Sequence, residues 1–473
     1  MSAPPASFST GYRRRVVLLL MVAYSFNAAD RSIIAIVGQA MKMDLKLTDT
    51  QLGVLAGTAF AALYALSGIP TARLAERCNR VTILSVALGL WSALTAACAL
   101  TGSFVQLVLM RVGVGVAEAG CTPSAHSLIS DYYDRAHRTT ALSVYSCGIS
   151  LGYLFVSVLG GYVTLHYGWR GALLVVGLPG VVYALMLKWL IAEPPREYAA
   201  QSGALPALSW RAELTELART ARALFASWPA ANIVIGLILT SFASYGTYAF
   251  LPAYFNRAFA LDFATIGVVL GLVGSVPVAL GILAGGALTD RLGGRSPRWY
   301  ALVPAAGLLL TMPVYLLALG QQQWRAAAVL LSVAGFFQYV SLGPSLGIVQ
   351  NVVTARQRAT ATALVFLALN VLALGGGSLF TGMLIDHLAQ GWFAQHLGSG
   401  VFRQACPGGA AAAGAAAQTA SACAAALVHA TRAGIQVTVA VHAWAALHYL
   451  LGSFGLARQL AQAAASQPAV SSR

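Results

Sequence analysis

Four charged side chains fall inside stretches that are otherwise apolar: Asp30 and Arg31, which are adjacent, and Arg111 and Glu118, which are seven residues apart. Acids and guanidinium groups in such a setting can do two kinds of chemistry. They can hold an anion, and they can take up and release a proton as a carboxylate loses and regains its partner. Neighbours in a helix point about 100° apart, so Asp30 and Arg31 do not face each other. Arg111 and Glu118 share a helix face, about 10 Å apart along the axis. Each charge therefore needs a partner from another segment. Without one, it costs at least about 2.5–3.5 kcal/mol at mid-bilayer.

The segments that carry them must be membrane helices. Of 473 residues, 58% are hydrophobic and 9% charged, and the mean hydropathy is +0.73. A soluble domain carries about 25% charged residues, so a water-soluble enzyme and a disordered chain are both excluded. Runs of about 20 apolar residues read as spans. Twelve occur, at 16–40, 51–71, 81–101, 105–129, 139–163, 171–192, 231–256, 263–288, 300–319, 325–352, 359–386 and 434–456. The first is too long for a signal-peptide core and carries Asp30 and Arg31, so it is read as a span. Counting inward from the span starts, Asp30 lies about 21 Å from one membrane edge and Arg111 about 10 Å from the other. These are similar depths in a core of about 30 Å. Glu118 lies deeper, toward Arg31. The expected arrangement is one polar cluster between spans one and four, in which protonation of Asp30 or Glu118 releases an arginine. The alternative is a static buried ion-pair cluster that fixes helix register.

The formal charge of +15 invites a nucleic-acid reading, but the loops absorb it. With the N-terminus cytoplasmic, nineteen of the 29 Lys and Arg fall in cytoplasmic loops and seven in outer ones, and three lie within spans. That split places both termini in the cytoplasm. The expected organisation is an N-terminal six-helix half (1–192), a cytoplasmic linker (193–230), a C-terminal half (231–457) and a tail (458–473). In the linker, Leu214, Leu217, Ala218, Ala221, Leu224 and Phe225 fall at helical spacing. That pattern reads as an interfacial amphipathic helix or as one packed on the span ends. An Ala/Gly-rich outer insert, 387–433, contains Cys406 and Cys423, a disulfide candidate on the oxidising side. The other cysteines lack metal-ligand spacing, and no metal site is expected.

A repeat organises the whole chain. Ala72-Arg73-Leu74-Ala75-Glu76-Arg77-Cys78-Asn79-Arg80 follows span two, and Gly286-Ala287-Leu288-Thr289-Asp290-Arg291-Leu292-Gly293-Gly294-Arg295 follows span eight. Both fit G-x-L-x-[D/E]-R-x-[G/N]-x-R within one residue. They lie six spans apart with the same orientation, which implies parallel halves. Glu76, Arg77 and Arg80, with Asp290, Arg291 and Arg295, are expected to form gating latches between cytoplasmic helix ends.

With these features the chain resembles the major facilitator superfamily over its whole length. The first loop departs from the usual pattern at Ala72, Glu76 and Asn79. Asn27-Ala28-Ala29-Asp30-Arg31 is similar to the N-x-x-D-R stretch of spinster-like transporters and of organic anion:cation symporters. Arg111 to Gly120 resembles their R-x-G-x-G-x-x-E-A segment. Thr122-Pro123, Ser130-Asp131-Tyr132-Tyr133, Arg138 and Gly168-Trp169-Arg170 are more like the spinster group. The resemblance implies an all-α, twelve-helix fold of two six-helix halves. It also implies that Asp30 and Glu118 couple protons and that Arg31 binds an anionic lipid head group. Asn27 and Arg111 lie in the matched stretches.

The remaining expected cavity is aromatic and weakly polar: Ser241, Tyr245 and Tyr248 on span seven, Phe336, Phe337 and Tyr339 on span ten, and Asn370 on span eleven. One cationic end with aromatic walls suits an amphipathic anion such as a lysolipid or sphingoid phosphate. A small organic anion:cation symporter and a drug/proton antiporter are the alternatives. Drug antiporters of the superfamily usually carry a G-P pair before the twin glycine of span five, where this chain has Val156 and Ser157. A membrane enzyme would need a catalytic cluster and a channel would need charge rings, and the sequence offers neither. His442, His448 and His126 are scattered. Without a Walker-type glycine loop, protons are the expected coupling ion and no cofactor is expected. A monomer in a bacterial inner membrane, binding its substrate and lipids and no nucleic acid, completes the reading.

Overall fold

The computed structural model describes residues 8–133, 135–194, 210–351, 358–397, 400–412 and 414–465; a few side chains inside helices, Glu76 and Arg77 among them, also lie outside that description. The regular structure of these residues is helical throughout. Span one is Thr10–Leu45, span two runs over 49–77, and span three is Arg80–Cys98. Span four is two pieces, Phe104–Glu118 and Cys121–Tyr132, and spans five and six form one run, Arg135–Leu190. In the second half, span seven is Trp228–Phe259, span eight Phe263–Gly293, span nine Trp299–Leu319 and span twelve Ala417–Ser453. Span ten is again two pieces, Trp324–Tyr339 and Leu342–Asn351, and span eleven covers 358–397.

Among the described residues, eleven helices are long and apolar enough to cross a membrane. One of them, Thr140–Leu190, has 51 residues, or about 76 Å at 1.5 Å per residue. That is more than twice the hydrocarbon core, so it makes two crossings and the total is twelve. The chain turns between them at Gly168, where φ is 74° and ψ 173°, a conformation glycine adopts without a Cβ penalty. Helix starts follow their capping residues. The side chains of Ser9, Asn79, Ser103 and Asp262 accept from the N–H groups of Tyr12, Thr82, Gln106 and Thr265, which satisfies donors a helix start leaves open.

Two boundaries differ from the sequence expectation. The insert is shorter than 387–433, because span eleven continues to Leu397 and span twelve already begins at Ala417. Alanine is the strongest helix former, so the low-complexity stretch after 417 lengthens the helix. The Cys406–Cys423 disulfide is formed, with Cα atoms 5.8 Å apart, and ties the remaining loop to span twelve. In the linker, Trp210–Ala226 is helical. Leu224 is buried with Val349, Ala361 and Val365, while Ala218 and Phe225 are exposed. The helix therefore packs on span ends along only part of its apolar face; the side chain of Leu214 lies outside the described residues.

The cores reveal the shape. One cluster joins both halves at the end of the bundle that carries the insert, mixing Ile33, Val37 and Leu52 with Phe250, Phe255 and Ile385. Toward the linker end the cores are largely separate, with Leu374 of span eleven the one described residue of the C-terminal half packed into the core of the N-terminal half. One is built around Trp91 and Leu128, the others around Leu237 and Val365 and around Leu308 and Tyr449. Close backbone approach seals the seam. A Cβ on Gly57 of span two would strike the carbonyl of Leu374 on span eleven, and one on Gly161 would lie 3.1 Å from the Cα of Gly267. Thr58 Oγ1 donates across the same seam to the Gly375 carbonyl at 2.8 Å. Here spans two and eleven face each other through short π-helical segments, Val54–Thr58 and Leu369–Gly375. Shared packing at one end and largely separate cores at the other leave a cleft between the halves that opens toward the linker.

Candidate functional site

Glu118 is positioned by a break in its own helix. It ends the segment Phe104–Glu118, and the next begins at Cys121. Pro123 has no N–H to offer the carbonyl four residues earlier, at Ala119, which disfavours a continuous helix there. A helix C-terminus carries partial negative charge, so Glu118 and the carbonyls around it together attract a cation. That cation is Arg31, whose Nε–H donates to Glu118 Oε1. Glu118 is wholly buried, whereas the Arg31 side chain is 29% exposed. The guanidinium lies over the rings of Phe60 and Tyr64, 4.8 and 4.7 Å from their centroids.

The second pair lies behind the first. Arg111 Nη1 donates to Asp30 Oδ2 at 3.0 Å, and Thr95 Oγ1 donates to Asp30 Oδ1. Arg111 and Asp30 are both buried. Arg111 also lies 5.5 Å from the centre of the Phe60 ring, so both arginines rest against one aromatic ring. Some polar atoms in the group are buried and unpartnered: Asn27 Nδ2, Arg111 Nε and Glu118 Oε2. The cluster is charge-balanced yet incompletely satisfied. Its one exposed member, Arg31, presents Nη groups that form no described contact.

Opposite Arg31 stands a group of tyrosines. Tyr245, 40% exposed, lies within electrostatic range of Arg31 and Tyr64. Tyr339 is near Tyr245, and Tyr248 is near Tyr339, Tyr315 and Tyr153. Sequence reasoning passed over Tyr153, Phe60, Tyr64 and Thr95. The four-residue spacing of Phe60 and Tyr64 is the one signal that could have pointed to a shared face. Other expected cavity residues are not brought to this group. Asn370 donates to the Phe366 carbonyl of its own helix at 2.8 Å, and Ser241 is half-buried on span seven. Phe336 and Phe337 pack edge to face, 5.4 Å apart, and point about 100° apart as helix neighbours must.

Span ten repeats the design of span four without the charge. It breaks after Tyr339, ahead of Pro344, and Gln338 lies one residue before the position that corresponds to Glu118. Gln338 Nε2 donates to Ser244 on span seven, and its Oε1 accepts from Tyr315 at 3.1 Å. The N-terminal half therefore has an ion pair between spans one and four where the C-terminal half has a neutral one between spans seven and ten.

The two loop motifs are unlike each other. Arg80 is buried and pairs with Asp131 and, at 2.6 Å, with Glu193. It also donates to Ser127 Oγ at 2.9 Å and to the Pro194 carbonyl at 3.2 Å. Asp131 and Ser127 belong to the N-terminal half and Glu193 and Pro194 open the linker, so Arg80 ties the start of the linker to that half. Asp290, Arg291 and Arg295 are exposed. Glu76 and Arg77 lie outside the described side chains. Of the histidines, His442 bonds the Val439 carbonyl, His448 bonds Asn232, and His126 lies edge-on to Tyr145.

The family profile of the Major Facilitator Superfamily matches residues 20–377, which include both ion pairs and both broken spans. The chain belongs to that superfamily. Its members are transporters. It is 31% identical over 411 residues to an MFS-type efflux pump of Mycolicibacterium smegmatis, covering 84% of this chain and 92% of that one. Protein spinster homolog 1 of Mus musculus is 27% identical over 410 residues, covering 81% and 75%. Among solved structures, a bacterial homologue of the human lysosomal transporter spinster, inward-facing and unoccupied, superposes with a TM-score of 0.84 at 29% identity. That match covers 96% of this chain and 99% of the other. The fold is the twelve-helix fold of this superfamily, and the chain is a spinster-like transporter.

Proposed function

We propose that this transporter carries an amphipathic organic anion by alternating access, coupled to protons through Glu118 and Asp30. One observation supports the reading: Arg31 donates its Nε–H to a wholly buried carboxylate while its side chain stays 29% exposed over the stacked rings of Phe60 and Tyr64. An anionic head group entering the cleft competes with Glu118 for the same guanidinium. A buried carboxylate that loses its cation is costly, so Glu118 takes up a proton as the anion binds. Linkage makes the effect reciprocal: protonation of Glu118 frees Arg31 for the anion. The neutral pair at Gln338 offers no such exchange, which confines coupling to the N-terminal half.

The tyrosines on the far side of the cleft give an apolar tail flat surfaces and a few hydroxyls, which favours a lysolipid or sphingoid phosphate over a multiply charged solute. A second reading, a small organic anion symporter, is supported by similarity to a probable L-galactonate transporter of Escherichia coli, 25% identical over 381 residues. The arginine distribution supports an insert end facing outward, with the linker and both termini in the cytoplasm of a bacterial cell. The cleft is then inward-facing, and the protein works as a monomer among membrane lipids. A thermal-shift panel of lysophosphatidic acid, sphingosine phosphate and aldonates separates the substrate classes. The amphiphiles should raise the melting temperature of wild type and lose that effect in Arg31→Ala. Stabilisation by aldonates alone would overturn the lipid reading.

A further inference from the structure

The insert end holds a second charged cluster that the coupling chemistry does not use. Arg257, at the end of span seven, is buried and reaches into the N-terminal half. Its Nε and Nη2 donate to Gln39 Oε1 at 3.0 and 2.8 Å, and Nη2 also donates to Asp49 Oδ1 at 2.6 Å. Nη1 donates to Thr431 on span twelve at 2.7 Å. Asp49, wholly buried, takes its second cation from Lys42 Nζ at 2.5 Å. Asp386 on span eleven supplies a cap from one half to a helix of the other. Its Oδ1 accepts from the Asp49 N–H at 3.0 Å, and its Oδ2 accepts from the Thr50 N–H and hydroxyl at 2.8 and 2.6 Å. Above Lys42 lies the insert. A Cβ on Gly409 would sit 3.6 Å from the Lys42 ammonium, and one on Gly408 would meet the backbone of span one. The Cys406–Cys423 bond closes that loop.

Two cations and two anions balance here in a buried interface; the Arg257 bonds to Gln39 and Asp49 and the Asp386 cap cross between the halves, while Lys42–Asp49 lies within the N-terminal half. A buried ion pair adds little net stability over an apolar contact, but losing one member is expensive. In water each group is satisfied by hydration. A charged cluster therefore suits a contact that must form and break in every cycle.

We propose that Arg257 is the gating residue of the insert end, with Asp386 and the disulfide-closed loop as its supports. The Arg257 contacts break for the cleft to open outward, and their strength sets the fraction of inward-facing protein. The proposal rests on the alternating-access reading and its orientation. Its test reads neither protons nor substrate, so it stands or falls apart from the coupling chemistry.

In a background with Cys78, Cys98, Cys121 and Cys147 replaced by Ala, Ser378→Cys reports the sealed seam behind the cluster. In the same background Ser67→Cys reports the linker end of span two. Each is labelled with a membrane-impermeant maleimide, the first in right-side-out vesicles and the second in inside-out vesicles. Arg257→Gln should speed labelling at 378 about tenfold and slow it at 67, while Arg257→Lys should recover part of the wild-type pattern. Replacing both Cys406 and Cys423 with Ala should give a smaller rise at 378, about threefold. Unchanged rates at both reporters in a folded, monodisperse Arg257→Gln would overturn the proposal. So would a rise at both, which marks general loosening. Labelling at 378 only from inside-out vesicles would show the orientation to be reversed and leave the gate itself intact.

Discussion

Arg31 gives its Nε–H to Glu118 and rests its guanidinium over the stacked rings of Phe60 and Tyr64, with the side chain still partly exposed. The planar fork is what lets one side chain serve a buried acid and an incoming anion together. Arg31→Ala should abolish anion-dependent thermal stabilisation. Arg31→Lys keeps the charge but cannot offer two faces, so it should retain binding weakened by roughly 1.4 kcal/mol or more, tenfold in Kd. Isothermal titration in detergent reads both.

The Arg111–Asp30 pair distinguishes a coupling role from a fixed structural one. Asp30→Asn leaves Arg111 buried without its counter-charge, which costs about 3–5 kcal/mol in comparable buried pairs. The double variant Asp30→Asn with Arg111→Met removes both charges and should recover most of the lost melting temperature. If the pair only fixes helix register, the double variant transports with normal proton coupling. If Asp30 takes part in coupling, transport in the double variant ignores an imposed pH gradient.

Seam packing gives a third expectation. Gly57→Ala places a methyl group against the Leu374 carbonyl, whereas a Cβ at Gly68 on the same span meets nothing within 4 Å. Overpacking of this kind costs about 1–3 kcal/mol. Gly57→Ala should therefore lower the melting temperature and slow transport, because the insert end cannot close fully. Gly68→Ala should leave both unchanged or slightly improved, since Ala exceeds Gly in helix propensity by about 1 kcal/mol.

At the start of span eight, the Thr265 N–H and hydroxyl hold the exposed Asp262 carboxyl below the usual carboxylate range. A depressed value means the ionised cap contributes its full stability above the unfolded-state pKa, and loses it as pH falls through the lower folded value. Asp262→Ala should cost about 1 kcal/mol at neutral pH. The difference from wild type should shrink below about pH 4. Asp262→Asn, a cap that does not titrate, should keep its stability over that range. Melting curves across pH check both.

The four intramembrane charges were legible because charge is so scarce in this chain, and their depths along spans one and four bring the right pairs together. The aromatic shelf was not legible. Phe60 and Tyr64 sit among apolar residues, and nothing local separates a ring under a guanidinium from a ring facing lipid. Lys42, Arg257 and Asp386 sit at span ends, where charge ordinarily reports topology. They are buried only because the two halves press together there, a tertiary fact without a local signature. Arg80 shows the same limit: its loop motif was visible, but its partners Asp131 and Glu193 lie more than 50 residues away. The insert was overestimated because alanine-rich sequence reads as low complexity and folds as helix.

Substrate-driven proton movement in liposomes tests the coupling at Glu118 most directly. With a pH-sensitive dye inside and no imposed potential, adding a transported lysophosphatidic acid to wild-type vesicles should change the internal pH in step with its uptake. Glu118→Gln should still bind the anion, because Arg31 remains, yet move it without any proton signal or fail to move it. Proton movement by Glu118→Gln at the wild-type ratio to substrate would contradict the coupling.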